Sequence, residues 1–257
     1  MSEISDVRHL LDHFGRLRDV DHIDLQALTR EELFSLGDRP AFGDSADLAW
    51  WGSLAAPARA DIEASAQRGL VGRRLVQPGV DPSTISVHPD LRLVLAMRSE
   101  PAFLSVIGLR GRPEPLVRAY GVLGEHAEVA AVLLERAVVP GVSDFVLGSA
   151  AYAAMAMTRF LFEPPTADDP DAQVVDSPLQ LLLLRRFETL LRGESVGVRH
   201  LAYAGVTAGA LAEVDDEGRS GEPVPVTEQS MIENVLDEWR ACAARTAAVP
   251  GPGQERA

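Results

Sequence analysis

FLSVIGLRGRPEPLVRAYGVLGEHAEVAAVLLERAVVPG, residues 103–141, is the stretch on which the fold turns. Phe103 to Leu109 reads as a strand, Arg110-Gly111-Arg112-Pro113 as a turn, and Leu116 to Leu123 as a second strand. Glu128 to Val138 is ambiguous by periodicity, because its Ala and Leu favour a helix and its Val a strand. Pro140-Gly141 supplies a turn straight after it and tips the reading to a third strand. Strands joined by such short turns pair antiparallel. The expectation is therefore an α+β fold, an antiparallel twisted sheet with flanking helices.

Downstream, Asp144 to Leu147 reads as a short strand feeding a helix from Ser149 to Phe162. Residues 163–176 hold three prolines and five acids with no basic residue, the composition of a solvated linker. Ser177-Pro178 then opens LQLLLLRRFETLLRG, read as a helix capped by Ser177 and ended by Gly193. Its wall of Leu is too broad for a surface position. Val196 to Val214 has the texture of strands, Asp215-Asp216-Glu217-Gly218 of a hairpin turn, and Pro223 to Val226 of a short return. Thr227 caps the last helix, whose Met231, Val235, Trp239 and Cys242 share one face. The division expected is thus 1–162, a linker at 163–176, a second part at 177–246 on the same sheet, and a disordered tail at 247–257. The second part repeats the outline of the first, suggesting two pseudo-repeated halves.

Upstream, Val7, Leu10, Leu11, Phe14 and Leu17 recur at helical spacing. Thr29 and Glu32 form a capping-box pair, with Leu28 and Leu33 placed as its staple. Asp47 to Leu54 reads as a short helix carrying Trp50 and Trp51. Pro57 suits the first turn of the next helix, and VHPDL, from Val87, leads into another.

Composition excludes several chemistries. The chain has 257 residues, 46% of them apolar, and a formal net charge of −14. That sign disfavours a nucleic-acid partner, which needs a basic footprint to release counterions. Lysine is absent, so all 24 basic residues are arginines. This pattern, with abundant Ala, Leu and Val, suits a high-GC genome. It also removes a P-loop lysine, a kinase-type lysine and a Schiff base with PLP. Cys242 is the single cysteine, so no internal disulfide, CxxC pair or thiolate zinc cage can form. The opening MSEISDVRHL has no apolar h-region, and no apolar run is long enough to span a bilayer. A cytoplasmic protein with no membrane insertion and no cofactor is expected.

Candidate motifs are outweighed by plainer readings. His9 and His13 lie four apart in HLLDH with Asp12 between them, the spacing of a metal pair in a hydrolase, but the pattern is not HExxH. His22 could join them only if the chain folded back. Arg110-Gly111-Arg112-Pro113 matches the core of a minor-groove hook but sits where a turn is needed. Ser143 lacks the second glycine of a nucleophile elbow. The strongest case for DNA binding is a helix-turn-helix near Ala58 to Val76 with Arg59, Arg68, Arg73 and Arg74, and VGRRLV as a wing. Asp61 and Glu63 on the recognition helix oppose it. Adjacent helical positions face different ways, so one of Trp50 and Trp51 should be core and the other partly exposed.

Three places resemble the EspG family, the cytosolic chaperones of type VII secretion in actinobacteria. They are ARADIEASAQRGLVG with HPDLRLVLAMRSEP and FLSVIGL; the meander RAYGVLG and AEVAAVLLERAVV ending in the helix with FLFEP; and GALAEVDDEGR, PVPVT and SMIENVLDEWRAC. The resemblance implies an α+β fold of two related halves around a twisted sheet. It also implies a non-enzymatic role, holding a helical secretion substrate for delivery to the membrane machinery. The alternative is a DNA-binding or ligand-sensing regulator. Anchor chemistry places a partner surface at the Arg110–Arg112 turn, at one of Trp50 and Trp51, and on the last helix around Trp239.

Overall fold

Thr29 opens the first helix described by the computed structural model, which describes residues 20–38, 45–78, 85–109, 115–124, 126, 128–162, 182–191, 194–204, 207–213 and 224–247. At 45, 46, 78, 109, 115, 182–187, 194–204, 207–213 and 247 the description is of the backbone alone. The expected 7–17 helix, the 110–113 turn, the 163–176 linker and the 215–218 turn lie outside these residues, as does the tail beyond Ala247.

Two compact units divide the chain. The first comprises Met1–Pro101 and Leu133–Gly148, the second Ala102–Val132 and Ser149–Ala257. In the first unit, helix α1 (Arg30–Ser35) starts at a complete capping box. The Thr29 hydroxyl accepts from the Glu32 N–H at 3.1 Å, and the Glu32 carboxylate accepts from the Thr29 N–H at 2.9 Å. Leu28 and Leu33, the staple, are both buried. Helix α2 (Ser45–Ser53) is followed by α3 (Ala56–Gly72), with Pro57 in its first turn. A two-stranded ribbon, β3 (Val76–Pro78) with β4 (Ile85–Val87), leads to α4 (Pro89–Ser99). His88 caps α4 by accepting from the Asp90 N–H at 3.3 Å.

Strands β1 (His22–Asp24) and β2 (Leu28–Thr29) both pair antiparallel with β8 (Val142–Gly148), which lies beside β7 (Val129–Val139). The expected third strand is thus β7. Its turn is Pro140-Gly141, where Gly141 has φ +77°, a value that an L side chain rarely adopts. Strand β7 gives Val129–Val132 to the second unit and Leu133–Val139 to the first.

The second unit holds β5 (Phe103–Leu109), β6 (Pro115–Leu123), α5 (Ala150–Phe162), β9 (Leu182–Leu191), β10 (Glu194–Ala204), β11 (Thr207–Glu213), β12 (Val224–Pro225) and α6 (Glu228–Ala247). Its strands run β7-β6-β5-β9-β10-β11-β12. The order reads outward in both directions from the antiparallel β5–β9 pair, where Ser105 faces Thr189. Gly121 in β6 lies opposite Phe103, whose ring occupies the space that a Cβ would need. Helix α6 is capped by Thr227, which accepts from the Ser230 N–H at 3.1 Å, and it buries Met231, Val235, Trp239 and Cys242.

One expectation is corrected. The segment read as a helix from Ser177 to Gly193 forms strand β9 over Leu182–Leu191, paired on one edge with β5 and on the other with β10. A continuous apolar run fits a buried helix and a central strand equally well by periodicity. Neighbouring strands on both edges decided for the strand. The α+β class with an antiparallel sheet stands.

Candidate functional site

The α1–α2 contact gathers most of the exposed anchor chemistry in the first unit. Arg30 heads α1, and its guanidinium lies 3.8 Å above the Trp50 ring. The same group sits 3.6 Å from the Asp47 carboxylate and 3.4 Å from Glu31. Trp51 stacks on Phe34 with ring centroids 5.0 Å apart and planes 5° from parallel. Trp51 is buried and Trp50 half-buried, as adjacent positions on one helix require. Burial pushes the Asp47 carboxyl above its ordinary value. Arg30 pulls it back down, and the charge of Glu135 adds to the rise.

Beneath lies a buried ionic cluster that sequence reasoning missed. Arg98 on α4 donates to Asp38 through Nε at 3.2 Å and Nη2 at 3.0 Å, and through Nη1 to Glu135 on β7. Ser143 on β8 donates to the other Glu135 oxygen at 3.0 Å. The three charged side chains are only 2–5% exposed. A bidentate guanidinium–carboxylate pair is the strongest common form of this contact. Its sequence signal is a charge on an apolar face: Arg98 follows Leu91 and Val94 at helical spacing, and Glu135 interrupts VAAVLL. The cluster ties Asp38, helix α4 and strand β7 together.

The remaining candidates are scattered. Trp239, expected as a surface anchor, is fully buried in the second unit. Its indole N–H donates to Ser105 at 2.7 Å, Ser105 and Thr189 share a 2.8 Å hydrogen bond, and its ring stacks on Phe103. A large amphipathic ring on the inner face of α6 serves the core when a polar partner meets its N–H. Arg110 and Arg112 lie outside the described residues, as do His9, Asp12 and His13. His22 lies on β1 opposite Gly148. Among the described residues no group of three or more His, Cys, Asp or Glu is placed to hold a metal ion. Burial, with Glu238 adding to it, raises the Cys242 thiol to about 11, which denies it thiolate reactivity.

The α2, α3 and β3–β4 order suits a helix-turn-helix with a wing, but the arginines do not line one face. Arg59 and Arg68, nine positions apart on α3, point about half a turn away from each other. Arg59 donates to the Leu54 carbonyl at 3.1 Å, and Arg73 pairs with Glu32 at 2.7 Å. Two of the four are thereby engaged inside the unit.

No protein-family model and no characterised protein matches the chain. Among the described residues no helix is long and apolar enough to cross a membrane.

Proposed function

We propose that this chain is a non-enzymatic chaperone or adaptor, which binds a helical secretion substrate in the manner of the EspG-like proteins of type VII secretion. One observation carries the reading. The strands of the second unit read outward in both directions from the β5–β9 pair, the arrangement of related halves about a sheet that the resemblance implies. The aromatic and arginine chemistry at Trp50 and Arg30 is of the kind that anchors protein partners. A net charge of −14 keeps such a protein dispersed while its binding surface waits.

The test is affinity capture of the chain from a high-GC actinobacterial host at two salt concentrations, followed by co-production with the captured protein. Recovery of a small helical secretion substrate in equimolar amount, surviving high salt and insoluble when produced alone, is expected. Capture of nucleic acid released by high salt would replace this reading with the regulatory one. A substrate equally soluble without the chain would remove the chaperone role.

A further inference from the structure

The C-terminus of α3 departs from the usual chemistry of helix ends. Its last carbonyls are closed by a Schellman motif: the Arg74 N–H donates to Val71 and the Leu75 N–H to Leu70, both at 2.9 Å. Leu75 and Leu70 are buried beneath it. The motif needs a left-handed residue at the first position beyond the cap, where glycine fits without strain. Glycines stand close by at 69 and 72, yet this position is Arg74, with φ +60°. Among the described residues it is the one non-glycine with positive φ. Backbone strain of this kind persists only where the surrounding structure holds it, and it clusters at functional sites.

The surroundings of Arg74 indicate the function. Arg68 precedes Val71 by one helical turn, and Val71 is 50% exposed. The His88 N–H donates to the Leu75 carbonyl at 2.8 Å, and the Arg92 N–H to the His88 carbonyl at 3.0 Å, which brings the first turn of α4 to the same corner. Arg68, Arg74 and Arg92 are exposed and meet no carboxylate among the described residues. By contrast Arg30, Arg73, Arg98, Arg136 and Arg240 each pair with an acid. In a chain of net charge −14, three arginines that meet no carboxylate among the described residues, together with an exposed valine, form a locally cationic, partly apolar surface.

We propose that this corner, formed by Arg68, Val71, Arg74 and Arg92, is a docking surface for an acidic, apolar-faced segment of a partner protein. Charge complementarity selects the acidic partner. The valine gives it an apolar contact that a phosphate backbone would leave unused, and the acidic field of the whole chain opposes a duplex. The surface lies in the first unit alone and does not depend on the secretion reading.

The test uses the full chain and a fluorescent synthetic amphipathic helix of about 20 residues, with leucines on one face and glutamates flanking them. The same peptide with lysines and a short DNA duplex serve as comparisons. The glutamate peptide should bind about tenfold more tightly than the lysine peptide at low salt. Arg74→Gly relieves the strained backbone and should raise the melting temperature by about 2–4 °C. The same variant should weaken the glutamate peptide about fivefold, a gain in stability with a loss of binding that no purely structural role produces. Arg68→Gln with Arg92→Gln should weaken it likewise. Equal binding of the two peptides, or full binding by the folded Arg74→Gly protein, would overturn the proposal. So would a duplex that displaces the peptide through the same arginines.

Discussion

Replacing Arg98 with methionine should cost the protein a large share of its stability. The substitution keeps an unbranched side chain of similar reach but removes the charge from between Asp38 and Glu135, whose side chains are 2% and 4% exposed. Two carboxylates would then remain beneath the surface without the guanidinium that both contact. Breaking a buried ion pair from one side costs about 3–5 kcal/mol, against a total stability of about 5–15 kcal/mol for a folded protein. With a urea dependence of about 1–3 kcal/mol per molar, the unfolding midpoint should fall by about 1–5 M. Fluorescence of Trp50 and Trp51, in the same unit as the cluster, reports the transition. Adding Asp38→Asn and Glu135→Gln to the methionine variant should recover much of the loss, because the destabilisation comes from uncompensated charge rather than lost volume. A single variant that unfolds within about 1 kcal/mol of the parent, or a triple variant weaker than the single one, would refute the reasoning.

Other outcomes follow from the same geometry. The folded-state pKa of Asp47 is raised, so its contribution is fully present below the unfolded value of 3.8 and is lost as pH rises through the folded value. Asp47→Asn should therefore flatten the pH dependence in that window and unfold at higher urea than the parent at neutral pH, as parallel titrations would show. Trp239→Phe removes the indole donor to Ser105 while keeping the stack on Phe103, and should cost about 1–2 kcal/mol in thermal unfolding. Trp239→Ala should cost about 3–5 kcal/mol, with the loss of a blue-shifted emission component. Cys242, buried and with its thiol raised to about 11, should resist maleimide at neutral pH in the folded protein and react fully in urea.

The fold was legible where local chemistry and tertiary pairing agree. The Thr29–Glu32 box, the Pro140-Gly141 turn and the Thr227 cap are short-range signals, and each element they bound formed as read. Leu182–Leu191 was misread because a run of leucines carries no period, and its state was decided by β5 and β10, distant or not yet placed in the chain. The candidate site was legible in part. Adjacent tryptophans on a helix predict one buried and one half-buried ring, and Trp51 and Trp50 obey. Trp239 shows the limit of anchor chemistry: composition alone does not say whether a tryptophan faces a partner or a serine in its own core. The Asp38–Arg98–Glu135 cluster joins residues 60 and 37 positions apart, beyond any local pattern. The left-handed backbone at Arg74 has no local signal, because its residue type is not one that favours positive φ.

Strand β7, divided between the two units, bears on how the protein is made. Neither unit is a contiguous piece of the gene, so no single cut yields either one whole. On the ribosome, residues 1–101 emerge with Arg98 and Asp38 but without Glu135, and the first unit must wait for residues 133–148 before its charge cluster is complete. At about 5–20 residues per second that interval lasts a few seconds. During it the nascent chain carries a guanidinium lacking its second carboxylate, and a fragment ending at Pro101 would carry that defect permanently.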